Sequence, residues 1–161
     1  MSLIRPATDA DVPAIITLNA AYVDMTSPMD ADHCGHLMSL AARCLVAEND
    51  GEVVGFALAM RDGASYQNGN IAWFSERLQD FDYIDRVVVG DQGRGLGLGG
   101  RLYDAICAAA RPAGRRTMAA EMKVDPPNIA SLNFLKARGF KELGNRALEK
   151  GVMVSMQAAE I

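Results

Sequence analysis

The chain has 161 residues, half of them hydrophobic and 22% charged, with a formal net charge of −4. That balance predicts one folded domain over residues 1–161 and argues against a disordered chain. The acidic balance, with no basic run to track a phosphate backbone, excludes nucleic acid as the expected partner.

Cys34, Cys44 and Cys107 are odd in number and form no C-x-x-C, which fits a reduced, cytoplasmic chain. The opening stretch MSLIRPATDADVP has no apolar signal core, and no stretch approaches 18 clean apolar residues. The expectation is a soluble protein with no membrane partner.

In chain order, SLIRPAT predicts a short strand. TDADVPAIITLNAAYV predicts a helix with Thr8 or Asp9 as cap and apolar residues near a 3.6 period. MTSPMDADHCGH reads as a loop and HLMSLAAR as a second short helix. RCLVAENDGEVVGFALAM predicts a hairpin turning at Asn49, Asp50 and Gly51. RDGASYQNGN is loop, and IAWFSERLQD is a helical turn or an irregular flap, with Trp73 and Phe74 as lid or core. FDYIDRVVV predicts a strand buried on both faces at its valine end.

The stretch GRGLGLGG, residues 93 to 100, leads into the helix LGGRLYDAICAAAR, and RPAGRR marks that helix's basic end. RRTMAAEMKV is a strand, PPNIASLNFLKARGF a helix ending at Gly139, and KELGNRALEKGVMVSMQ two final strands. The order β-α-α-β-β-β-α-β-α-β-β gives a mixed α/β domain with a β-α-β unit around the glycines. The Val- and Met-rich final strands allow sheet-edge pairing in a homodimer.

A strand–glycine–helix junction suits an anion. The first helical N–H groups lack internal partners, the macrodipole favours negative charge, and glycine leaves the amides uncovered. A phosphate or pyrophosphate is therefore expected on the backbone of residues 93 to 99, with Arg94 as a charge partner. Two schemes fit. Residues 95 to 100 match G-x-G-x-x-G, with Glu121 where a ribose-binding acid would sit, which describes a nicotinamide dinucleotide module. Too little chain follows to build the usual βαβαβ half-domain.

In the second scheme, Gln92-x-x-Gly95-x-Gly97 resembles the Q/R-x-x-G-x-G/A signature of the GNAT superfamily of N-acetyltransferases. IRPATDADVPAIITLN and VAENDGEVVGFAL are similar to that family's opening strand–helix and second hairpin. Asn128, Ser131, Gly139 and Phe140 match its downstream helix. The resemblance implies a mixed sheet with splayed central strands and acetyl-CoA as acyl donor. It further implies that the donor's diphosphate lies over Arg94, Gly95, Leu96, Gly97, Leu98 and Gly99. The strand at Val87, Val88 and Val89 would align the pantetheine arm, with Asn128, Ser131 and Phe134 contacting it. The acceptor would be a primary amine of a small molecule or a peptide amino terminus. Many members carry a proton-donating Tyr where this chain has Leu135.

Amide formation needs a base for the amine and polarisation of the thioester carbonyl. Asp82, Asp85 and Glu121 are the candidate bases. Asp85 and Tyr83 are chosen as catalytic, because alternation places Tyr83, Asp85 and Val87 on one strand face, with Tyr83 a substitute proton donor. An ion pair between Asp85 and an arginine is the competing expectation. His33-Cys34-Gly35-His36 has too few ligands for zinc, so no metal is expected. An acyl-CoA-binding protein without turnover stands as the further alternative, kept alive by Leu135.

Overall fold

The structure is a computed structural model that describes the chain apart from residues 23–26, 67, 126 and 128 and the side chain of residue 150. Its strands are β1 (Ser2–Pro6), β2 (Ala41–Asn49), β3 (Glu52–Arg61), β4 (Phe81–Val89), β5 (Thr117–Asp125), β6 (Lys141–Ala147) and β7 (Met153–Glu160). The helices are α1 (Val12–Ala21), α2 (Ala31–Leu40), α3 (Gly69–Ser75), α4 (Leu98–Ala110) and α5 (Ile129–Ala137). The expected order holds, with α3 added between β3 and β4. The mixed α/β class holds as well.

The strands form one sheet in the order β1-β2-β3-β4-β5-β7-β6. Successive residues of a strand serve opposite faces. Leu45, Ala57 and Ala59 pack with Leu102 and Ile106 of α4, and Leu135 of α5 joins them. Val46 and Phe56 pack with Ile15 of α1 and Cys34 of α2 on the other face. Leu58, Met60 and Tyr83 continue that second face toward Ile71 and Phe74 of α3.

The β2–β3 hairpin turns as its sequence requires, with Asp50 at φ 51 and Gly51 at φ 85. The second helix starts earlier than its sequence pattern predicts. Asp30 caps it, accepting from the His33 amide at 2.7 Å, so 31–36 is helix rather than loop and Ala41–Arg43 open β2. A good cap and the burial of Cys34 and Leu37 outweigh the cost of Gly35, about 1 kcal/mol relative to alanine. IAWFSERLQD resolves as α3, capped by the Asn68 side chain on the amides of Asn70 and Ile71, followed by a turn.

All neighbouring strands run antiparallel except β4 and β5. Those two are parallel and pair only at Phe81–Thr117, Asp82–Met118 and Tyr83–Ala119. Beyond Tyr83 they part, which is the expected splay. The helix after the glycines feeds one parallel strand and then antiparallel ones. This architecture corrects the dinucleotide-module alternative, which needs a parallel βαβαβ half.

A second correction concerns β4. The β3–β4 register skips a residue, pairing Leu58 with Arg86 and then Ala59 with Ile84, so Asp85 is a bulge. The bulge reverses the alternation. Tyr83 packs in the cluster of Phe74 and Phe81, whereas Val87 packs in the cluster beneath α4. The single face predicted for Tyr83, Asp85 and Val87 does not exist.

Candidate active site

The gap between β4 and β5 widens into a cavity of about 600 Å³. Tyr83 to Val89 of β4 form one wall and Ala120 to Lys123 of β5 the other. Ser131, Phe134 and Leu135 of α5 close one side, and Tyr66, Asn68 and Asn70 from the β3–β4 connection close another. Arg94 and Gly99 lie at the α4 end.

At that end the chain turns through a 3-10 segment, Asp91–Gly93, before α4. Gly95 and Gly97 have φ of 79 and 68, in the left-handed region where a side chain is strained. A Cβ on either would meet nothing within 4 Å, so backbone conformation, not crowding, calls for glycine there. Gly93 differs: its Cβ would press on Leu98, Val89 and Val54 at 3.0 to 3.1 Å. The first helical bond of α4 runs from the Arg101 amide to the Gly97 carbonyl. The amides of Leu98, Gly99 and Gly100 thus have no acceptor within the helix. Bare amides at a helix start, opening onto a cleft, fit a diphosphate.

The family model described as the acetyltransferase (GNAT) family matches residues 13–140. The chain belongs to this family. Acetyl-CoA is the family's acyl donor. Solved structures agree on the fold. A ribosomal-protein-alanine N-acetyltransferase from Brucella melitensis is 22% identical, with 99% of each chain covered and a TM-score of 0.77. A putative acetyltransferase from Salmonella typhimurium, determined with its cofactor acetyl-CoA, is 21% identical over 99% of this chain and 94% of that one, TM-score 0.76. Ard1 from Thermoplasma volcanium is 16% identical over 99% of this chain and 97% of that one, TM-score 0.81.

In this GNAT chain, Val87, Val88, Val89, Arg94, Gly99, Ser131 and Phe134 all line the cavity. Gly95, Leu96, Gly97 and Leu98 form the turn and helix start beside it; the Leu98 side chain is buried in the core and that of Leu96 is exposed. Asn128 lies outside the described residues. Phe134 meets Tyr103 edge-on, and the Arg138 guanidinium stacks on it at 3.8 Å. Arg94 bonds the Tyr22 hydroxyl and pairs with Asp91.

Where the strands part, the Tyr83 hydroxyl donates to Glu121 Oε2 at 2.6 Å. Burial drives the Glu121 carboxyl up to about 7; the Tyr83 bond pulls it down and the nearby Asp85 charge pushes it up. Burial also holds the Tyr83 hydroxyl well above its usual range, with Glu121 and Asp85 adding to the effect. Asp85 is committed on both oxygens. Oδ1 accepts from the Tyr66 hydroxyl at 2.6 Å and Oδ2 from Arg86 Nε at 2.6 Å, with both partners of the ion pair nearly buried. Arg86 also donates to Asn19 Oδ1 and to the Ser27 carbonyl, which anchors α1 and the segment after it to the site.

Asp82 faces away, beside Arg115 at 4.0 Å, and does not line the cavity. His33 and His36 sit on α2, and the described residues contain no cluster of three or more His, Cys, Asp or Glu that could hold a metal. No helix among the described residues is long and apolar enough to cross a membrane. Sequence reasoning missed Tyr66, Asn70 and Arg86. Arg86 left a signal, a cation next to Asp85 just before the valine run of β4; Tyr66 and Asn70 come from a connection with no periodicity.

Proposed function

We propose that this GNAT chain is an N-acetyltransferase that moves the acetyl group of acetyl-CoA to a primary amine, on a small molecule or a peptide amino terminus, by direct attack with both substrates bound. The observation that carries the reading is the Tyr83–Glu121 pair at the vertex of the β4–β5 gap, facing the uncovered α4 amides across it.

The backbone from Gly95 to Gly99, with Arg94 at its side, holds the diphosphate. From Ile84 to Val89, β4 has no ladder pairing to β5, so its edge is available to an extended arm. Those residues span about 17 Å of strand. Phe134 and Ser131 flank the arm from α5. The donor supplies an activated acyl carbon, and a β4 amide near Val87 polarises its carbonyl.

Glu121 takes the proton from the amine, directly or through one water. An alkylammonium titrates near 10 and this carboxyl at about 7, close to working pH, which suits a general base. The C–N bond forms, the C–S bond breaks and the sulfur leaves as a thiolate. With a pKa near 8.5 the thiolate leaves readily, so Leu135 is tolerable where a tyrosine would stand. Asp85 stays paired with Arg86 and Tyr66 as a fixed wall, and Tyr83 orients Glu121. This moves the base from Asp85 to Glu121. The acceptor class has support from similar folds: one similar structure is a ribosomal-protein-alanine N-acetyltransferase and another is the NatC complex bound to Gag peptide and CoA.

The test is release of CoA thiol with benzylamine, spermidine, free alanine and an alanyl peptide as acceptors. Glu121→Gln is expected to lose about 100-fold or more in kcat with unchanged acetyl-CoA affinity by calorimetry. Asp85→Asn turning over normally would agree. Unchanged turnover in Glu121→Gln would contradict the proposal. Tight acetyl-CoA binding with no thiol release across the panel would instead favour the binding-protein alternative that Leu135 raises.

A further inference from the structure

The connection between β3 and β4 does more than close the cavity. Its helix α3 runs under the sheet to the far edge strand, β6, and is held there at successive points. Arg146 Nη1 donates to Asn70 Oδ1 at 2.5 Å. The same guanidinium occupies the space that a Cβ on Gly69 would need. The Trp73 ring lies 3.0 Å from the place of a Cβ on Gly144. α3 is thereby clamped across β4, β5 and β7.

The clamp fixes the Asn70 amide. With Oδ1 taken by Arg146, its nitrogen is the end left to face the cavity, whose lining Asn70 shares with Glu121 and Tyr83, and Phe74 of the same helix packs 5.9 Å from the Tyr83 ring. Asn70 is buried, so this orientation does not exchange freely with water.

We propose that Asn70 is a positioning residue whose amide nitrogen donates to the Glu121 carboxylate and holds it in place, and that Arg146 acts on the reaction through Asn70. The proposal rests on the reading of Glu121 as the base. A donor to a carboxylate favours the ionised state. The other charged or titratable groups facing Glu121 are Tyr83 and Asp85 of β4, the latter offset by Arg86, Tyr66 of the connection, and Lys123 of its own strand. α5 presents Ser131, Phe134 and Leu135 to the cavity, none charged.

The experiment is a 13C NMR pH titration of protein labelled at the glutamate carboxyls, with the Glu121 signal assigned by its loss in Glu121→Gln. No acceptor is required. In Asn70→Leu the Glu121 midpoint is expected to rise by about one pH unit, because a donor to the charged form is gone. Arg146→Ala should raise it in the same direction, and the double variant should go no further than Asn70→Leu alone. A carboxyl one unit weaker is ionised roughly tenfold less at pH 6. Should Asn70→Leu not fold, Asn70→Ala and Arg146→Ala are read in its place. A Glu121 midpoint that stays at the wild-type pH in the folded variants overturns the proposal. Wild-type turnover of the acceptor panel by Glu121→Gln overturns the base reading, and with it Asn70's part in the reaction, even where the titration moves.

Discussion

Glu121 gains nothing for stability from its charge. Its folded-state pKa of about 7 stands above the ordinary 4.5, so between those pH values the folded chain keeps a proton that the unfolded chain has released. Stability therefore falls as pH rises through that window and levels off above it. The full shift is worth up to about 3 kcal/mol. Glu121→Gln should accordingly raise the melting temperature at pH 8 and change it little at pH 4, while lowering kcat about 100-fold or more. A variant less stable than wild type at pH 8 would mean that the burial cost is already offset. The acid at position 121 was visible in the sequence as one candidate base among three. Its environment was not, because the Tyr83 hydroxyl that bonds it comes from another strand. Strand alternation favoured Asp85 over Glu121, but the Asp85 oxygens are taken by Arg86 and Tyr66.

Two elements show how local pattern and tertiary context divide the work. The start of α1 is tied to β1 by Asp11, which accepts two bonds from Arg5 and one from the Thr8 amide. Arg5 holds the Asp11 carboxyl down to about 2, helped by Thr8. Its stabilisation is present above pH 4 and disappears as pH falls through 2. Asp11→Ala should cost about 1–3 kcal/mol in urea melts at neutral pH. At the head of α4, Gly97→Ala forces a side chain into φ 68, costing about 1–2 kcal/mol, and narrows the approach to the amides. Weaker acetyl-CoA binding should accompany the lost stability, read together by calorimetry and thermal melts. The glycine run, the hairpin turn and the valine strand were legible because each is local chemistry. The bulge at Asp85 was not, since a skipped residue is set by the partner strand and by the buried ion pair. Likewise, Gly35 reads as a breaker in isolation, yet Asp30 and buried Leu37 hold it inside α2.

Across the molecule, the sheet does one thing that matters for function: it stops pairing after Tyr83. Everything placed around that opening comes from distant parts of the chain, the connection with α3, the start of α4, β5 and α5. The order of elements, α3 apart, and the glycine junction at the head of α4 could be read from spacing. The clamp of α3 on β6 could not, because it depends on a long-range match of Arg146 and Trp73 to Asn70, Gly69 and Gly144. With acetyl-CoA held across both sides of the gap, as proposed, the whole protein should be stabilised. At a hundred times its Kd the gain is about 2.7 kcal/mol. The most direct test of the account is a crystal structure of the chain with acetyl-CoA. The account predicts the diphosphate on the amides of Gly95 to Gly99 and the thioester in the β4–β5 gap beside Glu121. A donor bound elsewhere, or a gap filled by the protein's own side chains, would contradict it.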